Sequence, residues 1–381
     1  MTQIKVGLIG AGFIGRSHAL AINAVNRVFG QDLFEAIPHV LAEADQATAA
    51  ARARQFGFGI ATTDWRQAIA ECDAVIIAVP SFLHRDMALS AAESGTHILC
   101  EKPVGLSSAE AAEIAAAAAR ANISHTVGFT YMRSPLIRYA VDVIDRGDLG
   151  KPLHFKGWHC EDYLADPDIA FTWRQDAALA GRCGAIGDMG WHIIAIARAL
   201  CGQITSLSGA IETFHKTRPL ASDQNASRAV ENEDWSNATL RFASGATGSV
   251  EVSRIAHGRK MDIGFELVCE HGTIAFKGEQ SNQIEIYRSG EPAAASGFRT
   301  IHINADHPDY GDFIPAPGHG LGFNDLKTIE LRDFLTAIAN GSPAEPDLDE
   351  ALKISRLCEA ILASSDRRCW IDAPEEFSIQ S

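Results

Sequence analysis

Gly10-Ala11-Gly12-Phe13-Ile14-Gly15 follows directly on the apolar run Lys5-Val6-Gly7-Leu8-Ile9 and opens an alanine-rich helical pattern. Strand, glycine turn, helix is the order in which a G-x-G-x-x-G string marks a dinucleotide-binding turn. Gly10 permits the tight turn, Gly12 leaves room for a pyrophosphate, and Gly15 lets helix and strand pack closely. The helix N-terminus adds amides and the positive end of its dipole, so Gly10, Gly12, Phe13, Ile14 and Gly15 are expected cofactor contacts.

The pattern continues as the turn demands. Lys5 to Ile9, Val40 to Ala44, Ala74 to Val79, His97 to Cys100 and Ser124 to Gly128 read as short strands, with helical stretches between them, most clearly Ser108 to Ala121. Such alternation predicts a doubly wound parallel sheet covered on both faces. Beyond residue 128 a helix from Pro135 to Asp145 gives way to runs of strands without helices between them, ending in helices at Asp325 to Asn340 and Leu348 to Ser364. The expectation is an α/β chain of two domains: residues 1–128, a Rossmann NAD-binding domain, and residues 129–381, an α/β domain with a large open, mostly antiparallel sheet for substrate binding and oligomerisation. Lys216 to Asp234 and His307 to Gly322 read as surface excursions.

Composition narrows the partners. A chain of 381 residues exceeds one ordinary core, and its net charge of -15 opposes polyphosphate, so no nucleic-acid partner is expected. No apolar run approaches the ~18 residues of a membrane span. The eight cysteines form no Cys-x-x-Cys pair, and His154 and His159 fall on opposite faces of one strand, so neither zinc nor another metal is expected and the compartment reads as cytoplasmic.

Cofactor choice rests on the carboxylate that ends the second strand. Val40-Leu41-Ala42-Glu43-Ala44-Asp45 offers Asp45 for the adenosine ribose hydroxyls, with Glu43 as the fallback on the same strand face. Asp45 lies 30 residues beyond Gly15, which implies an insertion around Val28 to Pro38. A carboxylate there repels a 2′-phosphate, so NAD is expected rather than NADP.

Two further features bear chemistry. Lys102, in Glu101-Lys102-Pro103, follows an apolar strand at the edge where ligands of doubly wound sheets bind. Asp188 and His192 stand four apart, the spacing that places a carboxylate and an imidazole on one helix face. The glycines at 181, 184, 187 and 190 read as backbone passing close to a ligand. Tyr131, Glu161, Asp162 and Trp173 are nominated for a polyol, which needs bidentate acceptors and a flat apolar face.

These residues, with Val79-Pro80-Ser81-Phe82-Leu83-His84, Arg133 near Pro135, and Trp173-Arg174, make the chain resemble the glucose-fructose oxidoreductase/inositol dehydrogenase/MocA family over nearly its whole length. Ala165-Asp166-Pro167, Phe171-Thr172-Trp173-Arg174, Ala256-His257-Gly258-Arg259 and Gly297-Phe298-Arg299-Thr300 are similar to its levoglucosan dehydrogenase-type sugar dehydrogenases. The resemblance implies cofactor contacts from Pro80, Ser81, Leu83, His84, Glu101, Lys102, Trp173 and Arg174. It also implies a C-terminal sheet that makes homodimers or homotetramers.

For the oxidation of a secondary hydroxyl it implies His192 as general acid/base, Lys102 as the group holding the substrate oxygen, and Asp188 as orienter or hydroxyl ligand. The substrate set is then Lys102, Tyr131, Glu161, Asp162, Trp173, Asp188 and His192. An inositol dehydrogenase and a non-catalytic relative that senses NAD or a sugar are the alternatives. Ser81 and Thr130 depart from the family pattern, each standing where asparagine is usual. Pro103 is expected to follow a cis bond.

Overall fold

A computed structural model describes residues 2–373. The chain forms two compact units, the first reaching Arg133 and resuming over Leu321–Lys353, the second covering Ser134–Gly320 and continuing from Ile354. The first unit opens with β1 (Thr2–Ile9), α1 (Phe13–Val28), β2 (Phe34–Ala42), α2 (Gln46–Phe56), β3 (Ile60–Thr62) and α3 (Trp65–Glu71). It continues with β4 (Ala74–Ile77), α4 (His84–Glu93), β5 (His97–Cys100), α5 (Ser108–Ala121) and β6 (His125–Val127).

All six strands run parallel in the order β3-β2-β1-β4-β5-β6. Ala74, Val75, Ile76 and Ile77 are fully buried, as expected of a central strand covered on both faces. The order reverses at β1, so the loops after β1 and β4 flank the crevice in which such sheets bind ligands.

The expected insertion around Val28 to Pro38 is absent as such. α1 runs the full 16 residues to Val28, and β2 begins at Phe34. Pro38 lies in β2 opposite Val6, where the register slips by one residue before Gly7 meets Val40. A proline inside a strand is tolerated at such a bulge, which hides the strand from its residue pattern.

The second unit contains α6 (Pro135–Asp145), β7 (Pro152–Cys160), a four-residue helix α7 (Ala177–Ala180), α8 (Trp191–Cys201) and β8 (Ile204–Glu212). Then come β9 (Thr217–Leu220), β10 (Asp223–Ala229), β11 (Trp235–Phe242), β12 (Thr247–Ser253), β13 (Asp262–Cys269), β14 (Gly272–Lys277), β15 (Gln283–Arg288), β16 (Arg299–His302) and a short α9 (Tyr310–Phe313). After α10 (Phe323–Asn340) and α11 (Leu348–Arg367) the described chain ends on β17 (Ile371–Asp372).

Nine strands join in the order β16-β15-β14-β13-β7-β12-β11-β8-β17, antiparallel except between β7 and β12. Phe155, Phe265 and Phe276 stack along its covered face at centroid spacings near 6 Å (6.0 and 6.2 Å).

Two differences from the sequence expectation have plain causes. α10 belongs to the first unit: Leu331, Phe334, Leu335 and Ala337 join the core of Ile4, Val6, Leu8 and Ile22, so the chain returns to a unit it had left at Arg133. The supposed excursion at Lys216 to Asp234 contains the β9-β10 hairpin, pinned by the buried Arg218, whose guanidinium donates to the carbonyls of Asp166 and Leu164. Among the described residues no helix is long and apolar enough to cross a membrane.

Candidate active site

The glycine turn has the geometry its residues imply. Gly10 takes φ +91°, and a Cβ on Gly15 would lie 1.9 Å from the Gly10 carbonyl oxygen, so both positions are closed to side chains. A Cβ on Gly12 would meet nothing within 4 Å. Gly12 is also the N-cap of α1 and has no side chain to cap the first-turn amides. Open space before uncapped helix amides fits the pyrophosphate of a dinucleotide. Phe13, 79% exposed, stands at this opening with its ring stacked 6.2 Å from Phe323 at the start of α10. Tyr131 packs on the other side of Phe323, also at 6.2 Å.

At the end of β2 the two carboxylates divide their work differently from the sequence expectation. Asp45 is the N-cap of α2, its carboxylate accepting the Thr48 amide at 2.7 Å, a bond that holds its pKa below the ordinary value. Glu43 is the carboxylate that reaches the glycine turn, accepting the Ala11 amide at 2.8 Å and the Ala44 amide at 2.9 Å. The helix cap was invisible as such because Asp is favoured at both kinds of position. Glu43 is thus the carboxylate of this pair that lies against the glycine turn, while Asp45 is engaged at the start of α2. Glu43→Ser should relax the preference for NAD over NADP by about tenfold or more, about 1.4 kcal/mol, while Asp45→Ser leaves the preference unchanged; kcat/KM with each cofactor decides it, and a shift confined to the Asp45 variant would restore the first assignment.

β5 delivers Glu101, Lys102 and Pro103, and the peptide between the last two is cis. Glu101 is turned toward α1 and α10. It is buried, accepting from His18 of α1 at 2.8 Å and from Lys327 of α10, which also donates to Glu330 at 2.7 Å. Burial alone would raise the Glu101 pKa, but the Lys327 ammonium and the His18 hydrogen bond bring it well below the ordinary carboxylate range. Ligand atoms of His18, Glu101 and Glu330 lie within 4.8 Å of one another, a spacing otherwise open to a metal ion, yet the cation in contact with both carboxylates is the protein's own ammonium.

His84, expected at the cofactor, is likewise enclosed. One ring nitrogen lies 2.9 Å from the Pro103 carbonyl and the other 2.8 Å from that of Val79. Lys102 itself is half-buried. Pro80 and Ser81 begin the single helical turn Ser81–Leu83 that leads into α4, with Ser81 buried and Leu83 exposed. Thr130 is buried at the start of the corresponding turn Thr130–Arg133, whose Arg133 is held by Asp333 at 2.7 Å and by the Glu345 carbonyl.

In the second unit Asp188 and His192 do share one helical segment, but not a plain α-helix. Ile186–Gly190 is a π-helical turn that passes into α8 at Trp191, so Asp188 lies in the wide turn and His192 in the regular one. Such turns re-aim side chains and recur at functional sites. Asp188 accepts the Tyr163 hydroxyl at 2.7 Å and has the Arg174 guanidinium at 3.8 Å. Burial first, and then the charge of Asp188, raise the Tyr163 pKa well above the ordinary phenol value, so Tyr163 remains a donor.

The buried His192 ring faces that of His159 at 5.8 Å, and His159 in turn touches the Met189 carbonyl and Glu161, each at 3.1 Å. Trp173 lies beneath the Arg174 guanidinium at 4.7 Å. Asp162 is committed elsewhere: Lys260 and the Gly258 amide hold its carboxylate at 2.7 and 3.0 Å and lower its pKa.

Two of the glycines here, Gly184 and Gly190, are required by the protein's own packing. A Cβ on Gly184 would lie 2.3 Å from the Glu233 carbonyl oxygen, and one on Gly190 2.4 Å from Ile186. The buried Glu233 carboxylate accepts the Gly184 and Ile186 amides at 2.7 and 2.8 Å, anchoring the start of the π turn from a distant strand connection. His18, Lys327, His159, Tyr163 and Glu233 were not legible as site residues. Of these, His159 alone had a sequence signal, its position two residues before the acidic pair Glu161-Asp162.

Residues 4–129 match the family model described as oxidoreductase family, NAD-binding Rossmann fold, and residues 137–275 match the GFO/IDH/MocA C-terminal domain. Levoglucosan dehydrogenase of Pseudarthrobacter phenanthrenivorans is 36% identical over 98% of this chain and 99% of its own length. The NAD(+)-dependent scyllo-inositol 2-dehydrogenase of Bacillus subtilis is 28% identical over 92% of this chain and 91% of its own. A solved levoglucosan dehydrogenase in complex with NADH and levoglucosan superposes with a TM-score of 0.95, at 36% identity, covering 98% of this chain and all (100%) of the other.

Proposed function

The chain belongs to the GFO/IDH/MocA family of NAD-dependent oxidoreductases, and from that premise we propose that it oxidises a secondary hydroxyl of a cyclic sugar or anhydrosugar, levoglucosan-like, to the ketone. The observation that supports this reading most is the Asp188 carboxylate, held by Tyr163 and Arg174 on the same helical segment as His192. A carboxylate so fixed is available to orient an imidazole or a neighbouring hydroxyl, and an imidazole is the side chain suited to exchanging a hydroxyl proton near neutral pH.

NAD, when bound, supplies the hydride acceptor. Gly10, Gly12, Phe13, Ile14 and Gly15 receive its phosphates, Glu43 its adenosine ribose, and Pro80, Ser81, Leu83, Lys102, Trp173 and Arg174 complete its contacts. His192 takes the proton from the substrate hydroxyl. Lys102 places its ammonium beside the oxygen as negative charge develops there. Tyr131, Glu161 and Trp173 hold the sugar by hydrogen bonds and a flat face, while Asp162 closes the 256–260 turn. The open sheet of the second unit, with residues such as Leu153 and His154 exposed on β7, makes a homodimer or homotetramer.

The test is NADH formation with a panel of levoglucosan, other anhydrosugars, glycosides, and myo- and scyllo-inositol. Fastest turnover with an anhydrosugar or glycoside supports the proposal. Turnover with inositols alone replaces it with an inositol dehydrogenase, and NAD binding without any turnover replaces it with a sensing relative.

A further inference from the structure

We propose that His84 is a positioning residue, whose imidazole ties the loop after β4 to the cis-Pro103 turn and so sets the place of Lys102. The proposal rests on the reading of Lys102 as the group that holds the substrate oxygen. The ring is 1% exposed, and both its nitrogens meet backbone carbonyls, Pro103 at 2.9 Å and Val79 at 2.8 Å. Pro103 is the residue directly after Lys102, so a shift of its carbonyl is passed to the backbone adjoining the lysine. On the other side, Ala78 and Val79 abut the cofactor turn: a Cβ on Gly10 would lie 2.6 Å from the Ala78 oxygen and 2.9 Å from a Val79 methyl. One side chain therefore sets the spacing between the glycine turn and the catalytic lysine.

The chemistry of the ring sharpens this. Both carbonyls accept, so a neutral imidazole, with one N–H, satisfies one of them, and the imidazolium satisfies both. Burial is the largest influence on the ring and lowers its pKa; the two carbonyls and Glu101 act against that, and Lys102 with it. The adjoining charges of α4 are turned to the surface, where Arg85 pairs with Asp86 and Glu113. Each carbonyl is a separate contact of the ring, and the two can be tested one at a time.

Two conservative variants divide them. An asparagine amide reproduces a nitrogen near the Nδ1 position, toward Pro103, and a glutamine amide one near Nε2, toward Val79. His84→Asn should keep kcat within about threefold of the parent and raise the dissociation constant for NAD, whereas His84→Gln should keep NAD affinity and lose about 10- to 100-fold in kcat, the size of effect expected when a catalytic group is displaced by about 1 Å. His84→Phe should lose both. Equal behaviour of the Asn and Gln variants, or parental kcat in the Phe variant, overturns the proposal; the Asn/Gln comparison stands even where the Phe variant fails to fold. Lys102→Met is assayed alongside with the sugar that proves to be turned over. Parental turnover in that variant would remove the lysine reading, while an NAD-affinity difference between the Asn and Gln variants would still establish the clamp.

Discussion

Lys327→Met is expected to destabilise the protein by about 3–5 kcal/mol, the usual cost of removing one member of a buried ion pair. Lys327 is completely buried and donates to both Glu101 and Glu330, so the truncation leaves two carboxylates out of water without their cation. The response to pH provides a second, signed test. In the parent, burial and then the Lys327 charge lower the His18 pKa. The unfolded ring, titrating near its ordinary value of about 6.5, takes up a proton that the folded ring resists. This group's contribution to stability therefore falls as pH drops below about 6.5.

Without the ammonium, Glu101 beside His18 favours the imidazolium, and the folded pKa lies above that of the parent. One of the two lowering influences is then gone, so the His18 contribution rises less steeply with pH than in the parent. The deficit of the variant should accordingly be larger at pH 8 than at pH 6, and Lys327→Met with Glu330→Gln should recover part of it. Unfolding midpoints in urea at the two pH values measure both effects. An unchanged midpoint, or a deficit that grows toward acid, would contradict this account of the cluster.

The same cluster shows where the sequence stops being legible. α5 and β5 were readable because an alanine-rich helical pattern and a short apolar run act locally. Lys327, in contrast, stands 226 residues from Glu101, and nothing local distinguishes it from a solvated lysine. Glu233 is equally remote from the π turn it anchors. The glycines at 184 and 190 were recognisable as special positions, but whether protein or ligand fills the space is decided by tertiary packing.

Acidic residues at the end of the second strand were legible in the sequence, but that Asp45 is the N-cap of α2 while Glu43 lies against the glycine turn depends on where α2 begins. β2 escaped in part because its bulge admits Pro38. What was legible were features set by residue type and short spacing: the glycine turn, the strand-helix alternation, Glu101-Lys102-Pro103, and the shared helical segment of Asp188 and His192. What was not was the set of partners that fixes them.

Those partners bear on the largest kinetic effect expected. His192→Ala should reduce kcat for alcohol oxidation by about 10²–10⁴-fold, the range supplied by a positioned general base. Lys102→Met should reduce it by about 10²–10³-fold through loss of charge stabilisation at the substrate oxygen. NAD affinity should remain within a few-fold in His192→Ala, because His192 is not among the proposed cofactor contacts.

His192 belongs to the well-packed second-unit helix, with Trp191 and Ile193 buried on either side, so alanine there removes the ring from a segment held by many other contacts. Tyr163→Phe provides the graded control. It deletes the 2.7 Å hydrogen bond to Asp188 but keeps the ring, and a smaller loss than in His192→Ala is expected because Arg174 still faces the carboxylate. The alkaline shift of the kcat profile should separate the roles: the limb that reports the general base should move in Tyr163→Phe and vanish in His192→Ala. Parental rates in His192→Ala, or an unaltered limb, would assign proton transfer to another group.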